Sequence, residues 1–120
     1  VLLACSFIAL TSVAEEKNDL SGIEVYYFHY SRRCVTCQAV EAVAQDALID
    51  FYEGRIALKS VNLDDKANSD LAKKLGVKGQ SLLIVKGDKK IDLTNEGFLN
   101  ARSNPDKFAS KIKESIDALK

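Results

Sequence analysis

The sequence predicts an α/β domain, a central mixed sheet of about four strands flanked by helices, and three observations predict it. An apolar run rich in β-branched and aromatic residues, Ile23 to Tyr30, gives way within a few residues to a long stretch of helical periodicity. Further short apolar runs then alternate with helical ones. The last two strand candidates are joined only by the turn Lys86-Gly87-Asp88-Lys89, which allows an antiparallel return.

Each element has its own physical reason. Ile23-Glu24-Val25-Tyr26-Tyr27-Phe28-His29-Tyr30 is nearly continuous in hydrophobicity, which suits a central strand covered on both faces. Val40, Val43, Ala44, Ala47, Leu48 and Phe51 recur at spacings of three and four, so an amphipathic helix packs on the sheet and Gly54 ends it. Residues 56–63 alternate imperfectly and read as a second strand, parallel to the first and closed by Asp64-Asp65. A short helix over 69–75 stops at Gly76, and 81–85 forms another apolar strand. Lys90 to Leu93 returns antiparallel to it. Asn104-Pro105 reads as an N-cap with proline at the first helical position, and Phe108, Ile112, Ile116 and Leu119 form one apolar stripe on a last helix. There is no repeat and no low-complexity tract.

At 120 residues, 47% hydrophobic and 28% charged, the chain has room for one core. Its 17 basic and 17 acidic side chains cancel, and no Lys/Arg cluster is interleaved with aromatics, so nucleic acid is not an expected partner. Residues 1–14 carry no charge and are mostly apolar, then turn abruptly polar at Glu15-Glu16-Lys17-Asn18-Asp19. An export signal is expected there, with the usual basic segment upstream of a chain that begins with Val. Two fates are open. Ser12-Val13-Ala14 supplies small residues for cleavage before Glu15, whereas Leu2-Leu3-Ala4-Cys5 resembles a bacterial lipoprotein signal in which Cys5 takes the lipid and forms the only membrane anchor. The apolar segment is shorter than the roughly 20 residues that span a bilayer. Residues 15–22 read as a linker and 23–120 as the domain.

The chemistry of the chain lies in Cys34-Val35-Thr36-Cys37 at the start of the first helix. Unsatisfied N–H groups and the positive end of the helix dipole stabilise a thiolate there, and the thiolate is the nucleophile of disulfide exchange. Cys34 is therefore the expected attacking sulfur. One helical turn separates it from Cys37, which lies beside it and is placed to resolve a mixed disulfide. A purely stabilising role is weakly motivated, because so small a loop restricts the unfolded chain little. With Cys5 in the signal, no disulfide scaffold is available, and two thiols with His29 fall short of the four ligands of a zinc site. Arg33, with Arg32, is expected to bring the Cys34 thiol below its ordinary value of about 8.5. His29 is the single histidine. Strand alternation puts it opposite Phe28 and Tyr30, and packing or surface is the expected role over general base. Thr36 is placed to hydrogen-bond a sulfur or simply to start the helix, Tyr26, Tyr27 and Phe28 are expected in the core or on the sheet, and Tyr30 at the rim of the site. Asp64-Asp65 reads as a solvated turn.

With its CxxC at the junction of first strand and first helix, the layout from Ile23 to Lys120 resembles the thioredoxin fold. Lys59-Ser60-Val61-Asn62-Leu63-Asp64 and Leu75-Gly76-Val77-Lys78-Gly79 resemble the family's second strand and its approach to the third. Arg33-Cys34-Val35-Thr36-Cys37-Gln38-Ala39-Val40-Glu41 resembles small exported bacterial thioredoxin-like proteins, some labelled as subunits of a nitrophenyl-compound nitroreductase. The resemblance implies electron transfer by a redox-active disulfide with a partner protein, in a periplasmic or membrane-anchored monomer without organic cofactor or metal. Two departures stand out. Where the family carries a cis-proline facing the cysteines this chain has Gln80-Ser81, expected to be trans because a cis bond without proline costs about 3 kcal/mol. The family's buried aspartate on the first strand is matched by Phe28, which leaves Glu24, Glu41 or water as proton acceptors for Cys37. The rival reading is a non-catalytic module that binds a partner or a metal through the same loop, or an accessory redox subunit of a reductase.

Overall fold

The computed structural model describes residues 19–120. Cys5, the signal segment and the first half of the linker lie outside the described residues. Strands β1 (Ile23–His29), β2 (Leu58–Asn62), β3 (Ser81–Lys86) and β4 (Lys89–Asp92) form one mixed sheet in the order β2-β1-β3-β4. β1 runs parallel to β2 and antiparallel to β3, so it is the central strand that its continuous hydrophobicity demanded. Helices α1 (Val35–Tyr52), α2 (Ser69–Lys74), α3 (Thr94–Asn100) and α4 (Pro105–Asp117) complete the chain, with a 3-10 turn at Lys66–Asn68 leading into α2.

Alternation along β1 and β3 divides the core in two. Val25, Tyr27, Leu82 and Ile84 face Val40, Ala44, Ala47 and Leu48 of α1 and Phe108, Ile112 and Ile116 of α4. Tyr26, Phe28, Leu83 and Val85 face the other way, onto Val61 and Ala72. The larger core therefore lies under the helix that begins at the cysteines.

Several boundaries differ from the sequence reading. The second strand begins at Leu58 rather than Ile56, whose side chain is buried in the larger core instead. At the end of α1 the buried aromatic is Tyr52, whereas Phe51 is 38% exposed; Tyr52 turns inward because its hydroxyl donates to Asp117 Oδ1 of α4 at 2.8 Å. Glu53 then takes a left-handed conformation (φ 57°) ahead of Gly54. Helix α3 has no counterpart among the expected elements. It is only seven residues long and contains Gly97, a poor helix former, so its local signal is weak. The glycine is required by packing: a Cβ there would lie 2.9 Å from Cζ of fully buried Phe108 and 3.2 Å from Cγ1 of Val40.

Two substitutions test this packing. Gly97→Ala gains up to about 1 kcal/mol of helix propensity but overpacks the α1–α3–α4 junction at a cost of about 1–3 kcal/mol, so a net loss of about 1 kcal/mol is expected in urea denaturation. Asp117 is opposed by burial, yet hydrogen bonds from Lys113, Tyr52 and Lys120 bring its carboxyl down to about 2. Its folded value lies below the unfolded one, so the contribution is full above about pH 4 and disappears as pH falls through about 2. Discounted for its exposure, Asp117→Asn is expected to cost about 1 kcal/mol at pH 7, and the gap to wild type to close in denaturation curves taken toward pH 2.

Candidate active site

The carboxyl ends of β1 and β2 and the start of β3 meet at one end of the sheet, and the chain between β1 and α1 is fastened there by the end of β2 and the residues that follow it. The Leu63 N–H donates to the His29 carbonyl at 2.6 Å, the Ser31 N–H to Asp64 Oδ2 at 2.7 Å, and Asn62 Nδ2 to Ser31 Oγ at 3.0 Å. Asp64 is thus more than a solvated turn residue: it anchors the approach to the cysteines. Asp65 caps the 3-10 turn by accepting from the Ala67 N–H.

Cys34 is the N-cap of α1, in extended conformation, and its Sγ accepts the Cys37 N–H at 3.0 Å. The two cysteines form a disulfide with their Cα atoms 5.0 Å apart. Their environments are opposite. Cys34 is exposed beside Val35, which is 66% exposed, and Thr36 is half-buried, while Cys37 is 1% exposed. An acceptor is needed at this position because the first N–H groups of a helix have no partner within it. The sulfur fills that need.

Beneath Cys37 lies Tyr27, whose hydroxyl donates to the Cys37 carbonyl at 3.0 Å. Burial pushes the phenol up to about 12, with Arg33 opposing that rise and Glu41 adding to it. Phe28, aligned by counting with the family's aspartate, is fully buried on the opposite face of the sheet, among the residues packed with α2. Of the proposed proton acceptors, Glu24 is paired with Lys59 near the start of β1, roughly 16 Å of strand away from the cysteine end. Glu41 does belong to the site. It forms an ion pair with Arg33 and lies one helical turn beyond Cys37 on α1. Burial disfavours its charged form, but hydrogen bonds from Arg33 and Ser60, then the charges of Arg33 and His29, hold its carboxyl below the ordinary value. Arg33 Nε is buried and has no hydrogen-bond partner among the described residues, and Arg32 is exposed without an ion pair there.

His29 is buried and stacks on Tyr27 with ring centroids 6.0 Å apart. Its Nδ1 lies 3.0 Å from the Tyr30 carbonyl, which only accepts, so Nδ1 carries a proton. Tyr30 is 37% exposed, and its hydroxyl lies 3.8 Å from where a Cβ on Gly79 would sit, so it reaches the Gly79-Gln80-Ser81 loop. Ser81 pairs in register with Phe28 and its hydroxyl donates to the Gly79 carbonyl at 2.8 Å. Gln80 and Ser81 are half-buried at the cysteine end of the sheet, and their peptide bond is trans. Among the described residues no group of three or more His, Cys, Asp or Glu side chains is placed to hold a metal ion. The sequence reading did not single out Tyr27 or Ser60 for the site. Tyr27 was legible only through its parity, since it occupies the face of β1 on which α1 packs; Ser60 and Asp64 were legible only once β2 was placed beside β1.

The structure matches that of oxidised thioredoxin O2 from Arabidopsis thaliana, with 20% sequence identity and a TM-score of 0.56 over 83% of this chain and 80% of that one. The fold is thioredoxin-like. A malarial protein is also similar, at 25% identity and a TM-score of 0.45 over 66% of this chain and 94% of its own. No protein-family model and no curated protein matches the sequence. In this thioredoxin-like frame the CxxC disulfide follows the central strand and opens the first helix, as the sequence predicted.

Tyr27→Phe tests the support beneath the buried cysteine. Removing one buried hydrogen bond is expected to cost about 1 kcal/mol in chemical denaturation, leaving the fold and the disulfide intact.

Proposed function

We propose that this protein exchanges a dithiol for a disulfide with a partner protein, Cys34 attacking and Cys37 resolving. The observation that supports this most directly is the asymmetry of the pair: the sulfur that caps α1 is open to solvent and its partner is buried. In the reduced protein the Cys37 N–H and the helix N-terminus stabilise negative charge on Cys34 Sγ. The Cys34 thiolate attacks a partner disulfide, forming a mixed disulfide and expelling one partner thiolate. Cys37 then loses its proton and attacks Cys34 Sγ, which breaks the mixed bond and releases the second partner thiolate. Two electrons pass to the partner, whose sulfurs take up the protons, and the same steps run backwards for an oxidant. The Cys34/Cys37 dithiol itself carries the two electrons, and the proposed cycle calls on no organic cofactor or metal. The uncharged, apolar composition of residues 1–14 supports an exported, periplasmic or membrane-anchored location, and we take the working unit as a monomer.

A second reading, a binding module without catalysis, is favoured by one feature. The proline-free, trans Gln80–Ser81 loop differs from the loop that the thioredoxin resemblance implies opposite the cysteines.

Equilibration of the protein with glutathione buffers, followed by alkylation and mass measurement, separates the two. Exchange requires a reversible two-electron transition, loss of reactivity in Cys34→Ser, and accumulation of a stable mixed disulfide in Cys37→Ser. A disulfide that stays oxidised in all accessible buffers, or a Cys34→Ser protein that still forms mixed disulfides, refutes the exchange reading.

A further inference from the structure

Glu41, we propose, sets the reactivity of Cys34 by engaging Arg33, the cationic neighbour of the attacking sulfur, and so acts as a positioning residue that keeps the disulfide less oxidising than Arg33 alone would make it. This rests on the exchange reading and adds to it the residue that tunes the exchange.

Arg33 immediately precedes Cys34, and charge on its guanidinium favours a thiolate on the next residue. In the structure that guanidinium is not free: one of its nitrogens bonds Glu41, and both side chains are about three-quarters buried, where screening by solvent is reduced. Glu41 stands on α1 one turn after Cys37 and is held by its ion pair with Arg33. Ser60 of β2 and His29 of β1 add to Arg33 in favouring its charged form. Tyr27 of β1, the remaining ionisable group there, stays protonated at neutral pH and is tied to the Cys37 carbonyl. Arg32 is exposed and outside this group.

The buried Nε–H of Arg33 has no acceptor among the described residues in the disulfide form. Cleaving the disulfide takes two electrons from a partner dithiol, whose thiols become a disulfide, and it creates a negative sulfur on the residue next to this cation. Arg33 is then shared between two anions, Cys34 and Glu41. Each weakens the other's hold, so the two titrate as a coupled pair. Removing the carboxylate's charge leaves Arg33 to the thiolate alone, which stabilises the dithiol form and makes the couple more oxidising.

The test compares wild type, Glu41→Gln, Arg33→Gln and the double variant in glutathione buffers, together with the Cys34 pKa from thiolate ultraviolet absorbance of each reduced protein. Glu41→Gln is expected to lower the Cys34 pKa and shift the equilibrium up to tenfold toward the dithiol, about 30 mV for a two-electron couple. Arg33→Gln is expected to move both in the opposite direction, and Glu41→Gln in the Arg33→Gln background to move them several-fold less than in wild type. A purely structural role would lower thermal stability and leave the thiol pKa and the equilibrium unmoved. If wild type equilibrates but Glu41→Gln shifts neither quantity, or shifts them the other way, this inference is wrong and the exchange reading stands. If wild type shows no reversible equilibrium, both fall.

Discussion

The Cys37 N–H pointing at Cys34 Sγ is the contact on which this end of the molecule depends. It caps α1, and capping is what allows an 18-residue helix to begin directly over the end of the central strand. From that start the helix carries Cys37 into the larger core and leaves Cys34 outside it. The helix end has no aspartate or serine to do the job. A cysteine in the capping position makes one atom both a structural acceptor and, in the exchange proposed above, the reactive centre, so the stability of the helix start and the chemistry of the sulfur would not vary separately.

Much of the fold was legible because the elements that matter have strong local signals. Strand β1 announced itself by its continuous apolar run, and α4 by Asn104-Pro105 and a four-residue stripe that is now buried at Phe108, Ile112, Ile116 and Leu119. Helix α3 was not legible, because the residue that makes it fit is the one that makes it look unlike a helix. Gly97 lowers intrinsic propensity and is required only by the side chains of Val40 and Phe108, which come from distant parts of the chain. The misplacement of Phe51 has a similar origin, since the choice between Phe51 and Tyr52 is made by Asp117 on another helix.

The site divides along the same line. The cysteines and their order of exposure follow from spacing and helix direction, which are local. The surroundings are assembled by the sheet. Glu24 and Glu41 were equivalent candidates by composition, and only the position of each along its element separates them: one stands near the start of β1 with Lys59, the other one turn past Cys37 with Arg33. Asp64, Ser60 and Tyr27 likewise take their roles from strand pairing and face, which a linear reading expresses only after the register is known.

The division of the core into unequal halves has a dynamic consequence. Helix α2 has six residues and buries one of them, Ala72, against the smaller cluster, whereas α1 and α4 share the larger one. Local opening costs least where few apolar contacts are lost, so the α2 side is expected to open more readily than the side shared by α1 and α4. The chain leaving α2 runs directly into the Gln80–Ser81 loop. The surface beside the cysteines is thereby built from two segments packed to different degrees: a firmly packed one that holds the sulfurs and a lightly packed one that is expected to yield more easily than the strand and helix behind the disulfide.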